Sequence, residues 1–80
     1  MDVEAEVSLY PLGQKELGPA VKAFIETLRS CGCQVKVGDM SSLVTGDSEQ
    51  VFDALRQADE RAASQGGCAL IVKACNVCPM

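Results

Sequence analysis

Histidine and tryptophan are absent from the 80 residues, and the aromatic side chains are limited to Tyr10, Phe24 and Phe52. Without histidine there is no Ser/His or Cys/His pair to activate a nucleophile. The strand-like stretches rich in small polar residues offer no paired carboxylates either, so no enzyme activity and no catalytic residue is expected. A basic excess is also missing: 7 Lys+Arg stand against 11 Asp+Glu, for a net charge of −4 and a pI of about 4.5. A chain with so few stacking rings and no basic groove does not fit nucleic acid. No apolar run approaches the ~18–20 residues of a membrane span. The acidic start Met1-Asp2-Val3-Glu4 lacks the basic segment of a secretory leader, so the expected location is cytoplasmic. Five cysteines, an odd number in that setting, argue against a disulfide scaffold and for reduced thiols.

What is present is enough for one domain spanning 1–80. The apolar fraction is 48%, ordinary for a globular chain. A chain of this size buries only about 60–65% of its unfolded surface, so its core is thin and self-association is favoured. Residues 3–10 alternate, with Val3, Ala5, Val7 and Leu9 on one face and Glu4, Glu6, Ser8 and Tyr10 on the other. This is the period of a half-buried strand, ended by Pro11 and turned by Gly13. Residues 17–31 follow a helical period, with Pro19 in the first turn, an inner stripe of Val21, Phe24, Ile25 and Leu28, and Gly32 as the stop. Cys33 to Val37 reads as a second strand, Gly38-Asp39 as a hairpin turn, and Met40 to Thr45 as a third strand whose inward face is either Ser41/Leu43/Thr45 or Met40/Ser42/Val44. Asp47 and Gln50 resemble a capping box. They open a helix from about Ser48 to Gln65 with Val51, Ala54, Leu55, Ala58 and Ala62 inward and Phe52 at the flank. Cys68 to Asn76 is a fourth strand, apolar enough to expect good burial, with Pro79 as its stop.

The order βαββαβ predicts an α+β, ferredoxin-like sandwich: an antiparallel sheet of order 4-1-3-2 with two helices on one face. The open face then carries Glu4, Glu6, Ser8 and Tyr10 from the central first strand, Gln34 and Lys36 from the second, and Ile71, Lys73 and Cys75 from the fourth. Glutamates in the middle with lysines outside balance charge across the sheet, and so mixed a face is read as a ligand or oligomer surface. Cys31-x-Cys33 and Cys75-x-x-Cys78 supply four thiolates, a zinc-type set. They fall on opposite edge strands about 14 Å apart, so a metal site would have to be shared between subunits. The loop Pro11 to Glu16 has neither the Cys-x-x-Cys of a metallochaperone nor the arginine of an acylphosphatase-like phosphate cradle.

Val7-Ser8-Leu9-Tyr10-Pro11-Leu12-Gly13 resembles the opening strand of the YkoF-like thiamine-binding family. Met40-Ser41-Ser42-Leu43-Val44-Thr45-Gly46 is similar to that family's third strand and closing glycine, Gln50-Val51-Phe52-Asp53-Ala54 to the start of its second helix, and Cys75-Asn76-Val77-Cys78-Pro79 to its last strand. The resemblance implies a single-domain, non-catalytic protein that binds thiamine or its hydroxymethylpyrimidine half for salvage, transport or buffering. It implies assembly into a homodimer or homotetramer, and neither a cofactor nor a metal. It places Ser8, Tyr10, Ser41 and Asn76 at the ligand, with Ser42 where threonine is common. Hydroxyls, an amide and strand-end backbone suit the ring nitrogens and amino group of an aminopyrimidine, and Tyr10 suits its face or a thiazolium cation. Strand 4 runs antiparallel to strand 1, so Asn76 would enter from a neighbouring subunit. Thr45 replaces a basic residue of some members, which argues against phosphate recognition. Leu12, Met40 and Val44 serve as pocket walls or core. Two other readings are a zinc-type protein with a shared thiolate site and an ACT-like module sensing a small metabolite.

Overall fold

The computed structural model describes residues 1–13, 18–64 and 66–76. Along the chain run β1 (Asp2–Pro11), α1 (Gly18–Ser30), β2 (Gln34–Val37), β3 (Ser42–Asp47), α2 (Ser48–Ala63) and β4 (Cys68–Cys75). The sheet order is β2-β3-β1-β4 with every neighbouring pair antiparallel, so the expected ferredoxin-like α+β plan holds. Leu17 as helix start, Gln65 as helix end and Pro79 as strand stop fall outside the described residues.

One core lies between the sheet and the helices. Val3, Ala5 and Val7 of β1 and Val44 of β3 meet Phe24 and Leu28 of α1 and Val51, Ala54, Leu55, Ala58 and Ala62 of α2. Each large apolar side chain buried there contributes roughly 1.5–3 kcal/mol. The inward face of β3 is settled as Ser42 and Val44. The α1 stripe is rotated from the expected one: Ala20 and Thr27 join Phe24 and Leu28, Ile25 is half-buried, and Val21 is exposed. Two small residues let this face approach the core closely, and the Thr27 hydroxyl is satisfied by donating to the Ala23 carbonyl at 2.7 Å.

Gly32 closes α1 in a Schellman motif: its N–H donates to the Arg29 carbonyl and Cys33 N–H to the Leu28 carbonyl. Gly32 has φ +89°, which only glycine adopts without strain. Cys33 is therefore part of the helix stop, and β2 begins one residue later than its alternation indicates. The β2–β3 turn centres on Asp39-Met40, closed by Gly38 N–H to the Ser41 carbonyl at 2.9 Å. Met40 is thus a turn residue, 90% exposed, and β3 starts two residues later than expected. β4 also departs from expectation. Its apolar residues suggest burial, yet Val72 and Ala74 on the helix-facing side are exposed, because β4 is an edge strand whose Cys68 and Leu70 alone pack against the core; Ile71 lies on the open face, as expected.

Strand lengths differ in a way that shapes the surface. The last β1–β3 pair is Val7 with Ser42, while β1 continues against β4 through Ser8–Ile71, Leu9–Leu70, Tyr10–Ala69 and Pro11–Cys68. β1 therefore overruns β3. Leu12 N–H donates to the Gly67 carbonyl, continuing the β4 register, and the Met1 carbonyl accepts from Ser48 N–H on the β3 side. Backbone groups alternate sides along a strand, so even-numbered residues of β1 face β4 and odd-numbered ones face β3. Pro11 falls on the side where β3 has ended, and its missing N–H costs no ladder bond.

Candidate ligand-binding groove

The overrun of β1 leaves a groove of about 180 Å³ between its last residues, the Asp39-Met40 turn and α1. Ser8, Tyr10, Ser41 and Ser42 line it together with Phe24 and Asp39. The volume is below the ~300–1,000 Å³ of drug-sized pockets, which suits one small ring. Tyr10 is 50% exposed and offers a ring face at the rim. Ser42 is 8% exposed and forms the inner wall. The Ser41 hydroxyl donates to Glu6 Oε2 at 3.3 Å, while Glu6 Oε1 lies 3.7 Å from Lys73 Nζ. With its proton engaged there, Ser41 Oγ is left to accept. The expected cross-sheet charge balance is realised in this Glu6–Lys73 pair. Among the described residues Asp39 is the one charged side chain lining the groove, so the electrostatics there favour a neutral or cationic guest over an anion.

The other three sequence-predicted residues lie elsewhere. Leu12 is exposed beyond β1 and outside the groove lining. Thr45 pairs with Glu4 and Gln34, and Asn76 follows Cys75, which also pairs with Glu4. Both line a wider cavity of about 600 Å³ at the opposite end of the sheet, with Asp2, Glu4, Gln34 and Gln50. Glu4 and Tyr10 are six residue steps apart along β1, roughly 20 Å.

That opposite end is held by internal polar contacts. Asp47 caps α2, accepting from Glu49 N–H at 3.2 Å and from the Met1 ammonium at 3.0 Å. The ammonium's hydrogen bond, then its charge, then the Glu49 N–H hold the Asp47 carboxyl below the usual carboxylate range. Gln50 does not complete the expected capping box. Its side chain instead donates to the Cys31 carbonyl at 3.1 Å, lying where a Cβ on Gly32 would meet Nε2 at 2.6 Å and one on Gly46 would meet Oε1 at 2.9 Å.

Sequence reasoning missed Asp39 and the Phe24 floor as groove residues. Asp39 was visible as turn chemistry, and the extra length of β1 beyond β3 was the signal that would have placed it. The cysteines divide differently from the all-reduced expectation: Cys31 and Cys33 are free thiols, whereas Cys75 is disulfide-bonded. Burial pushes the Cys33 thiol up, and the neighbouring Cys31 adds to the shift, so it is a poor source of thiolate. Among the described residues no three His, Cys, Asp or Glu side chains group as metal ligands; Cys78 lies outside them. No described helix is long and apolar enough to cross a membrane.

Comparison with known proteins adds a family and a set of folds. A family model described as "Thiamine-binding protein" matches residues 5–73. A hypothetical protein from Methanocaldococcus jannascii superposes with a TM-score of 0.86 at 25% identity, covering 94% of this chain and 79% of that one. A Streptococcus pneumoniae protein gives a TM-score of 0.87 at 20% identity, over 100% of this chain and 90% of that one. A Thermotoga maritima protein assigned provisionally to thiamine biosynthesis or salvage gives 0.81 at 18% identity, over 92% and 82%. Among curated proteins none matches the sequence.

Proposed function

The chain belongs to the thiamine-binding protein family, and from that premise we propose that it binds thiamine, or the hydroxymethylpyrimidine half of thiamine, without transforming it. The observation that carries the reading is the convergence of Ser8, Tyr10, Ser41 and Ser42 on one groove beside the Asp39 carboxylate. A groove of this size takes the pyrimidine ring and leaves the thiazolium toward the rim. There Tyr10 offers a π face to a cation, and Asp39 adds a nearby negative charge. Ser8 and Ser41 serve the ring's polar edge. Asn76 reaches the same ligand only from a second copy, so the working unit is a homodimer or homotetramer in the cytoplasm, serving salvage, transport or buffering of the vitamin.

Titration calorimetry with thiamine, hydroxymethylpyrimidine and a panel of amino acids tests this. Heat with the two pyrimidines and none with the amino acids is expected. Ser41→Ala and Tyr10→Ala should each weaken binding about tenfold with unchanged thermal unfolding. Absence of heat and of thermal stabilisation with either pyrimidine at millimolar concentration refutes the reading. Response to an amino acid alone transfers the protein to the metabolite-sensing class.

A further inference from the structure

The most directional groups facing the groove belong to the main chain. Odd-numbered residues of β1 turn their N–H and C=O toward β3, as the Leu12–Gly67 and Ser48–Met1 bonds require. Val7 meets Ser42 in this way. Leu9 is next on the same side, where the register would place Met40. The chain has already turned there, and Gly38 and Ser41 bond to each other. Against β4, Leu9 sits opposite Leu70 in a non-hydrogen-bonded position. Among the described residues no main-chain bond joins Leu9 to the turn, and Leu9 lines the groove. A donor and an acceptor therefore point side by side from one residue into the groove, with Ser8 and Tyr10 on either side.

Resting on the proposed ligand, we propose that the Leu9 main chain reads the amino-bearing edge of the pyrimidine: its N–H donates to the ring nitrogen beside the amino group, and its C=O accepts from the amino group. An aminopyrimidine presents an acceptor next to a donor on adjacent atoms, the complement of what one strand residue offers. The oxo analogue, carrying oxygen in place of the amino group, presents a ring N–H next to a carbonyl, with donor and acceptor interchanged. Leu9 would then select by bond direction, independently of its own side chain, which packs against the core.

The test combines amide spectroscopy with backbone chemistry. In isotope-labelled protein titrated with hydroxymethylpyrimidine, the Leu9 amide should show the largest shift in β1 and the strongest slowing of hydrogen exchange. The oxo analogue should bind about tenfold more weakly or worse. A semisynthetic chain with an ester in place of the Leu9 amide should lose only a little stability, because that N–H makes no ladder bond and only the Ser8 carbonyl facing β4 becomes a weaker acceptor, and should bind hydroxymethylpyrimidine about tenfold more weakly. The same ester at Tyr10, whose N–H faces β4, should lower stability. Binding that leaves the Leu9 amide unperturbed, or an ester that binds as the parent does, overturns the assignment to Leu9 and leaves the ligand reading standing. No binding of either pyrimidine overturns both.

Discussion

The two ends of the central strand carry similar residues and use them differently. At its start, Asp47, Gln50 and the Met1 ammonium are occupied with one another, with the α2 cap and with the Cys31 carbonyl. At its finish, β3 has ended, and Ser8, Tyr10 and the Asp39-Met40 turn surround a groove. A polar side chain near a strand end thus gains its role from whether the neighbouring strand still runs beside it. The first end is stabilised by its polar groups, and the second has polar groups left over for a guest.

The sharpest way to break that contrast is to damage the closed end and look for an effect at the open one. Gly32→Ala forces a side chain into left-handed backbone, at a cost of about 1–2 kcal/mol, and pushes against Gln50. Chemical denaturation should show the loss while pyrimidine affinity stays unchanged. A matching loss of affinity would mean that the two ends are not independent. Tyr10→Ala inverts the pattern: about tenfold weaker binding with stability altered by less than about 0.5 kcal/mol. The double variant should show both effects additively, since the sites lie more than about 10 Å apart.

A smaller effect tests the closed end internally. Gln50→Ala removes the bond to the Cys31 carbonyl, with a net cost of roughly 0.5–1 kcal/mol. In the Gly32→Ala background it should cost less, because the crowding is relieved. The smallest effect is a change of slope with pH. The folded Asp47 carboxyl titrates below its ordinary 3.8, so it contributes stability above that value and loses it as pH falls through the lower folded value. The Met1 ammonium titrates above its ordinary 8.0, chiefly through its hydrogen bond to Asp47, so its contribution is full below 8.0 and lost as pH rises through the folded value. Asp47→Asn should flatten both limbs of a melting-temperature profile; unchanged limbs would show that the pair is inert in solution.

Much of the architecture was legible because it is written locally. The alternation of Val3, Ala5 and Val7, the alanine stripe of α2 and the glycine stop of α1 each follow from a period or a backbone requirement within a few residues. The features read wrongly depend on neighbours. β4 has a core-like composition but stands at an edge, so Val72 remains 37% exposed. Val21 has the right spacing for the inner stripe, but Ala20 and Thr27 occupy it because the helix seats on its smaller residues. Within the candidate site, Ser8, Tyr10 and Ser41 were found from residue type and resemblance. The separation of Thr45 from them depends on the β1–β3 register, which sets Thr45 opposite Glu4 at the far end of β1.

A groove made by ending one strand early is encoded in lengths more than in letters. Point substitutions along β1 change the walls of the groove but leave the direction of its main-chain groups intact, while the removal or insertion of one residue in the Gly38–Ser41 turn would move the boundary itself. Lineages that keep the spacing between Pro11, Gly38 and Gly46 can therefore vary widely in side chains and still present the same opening, and a single-residue indel there should be more disruptive to recognition than several replacements elsewhere on the open face.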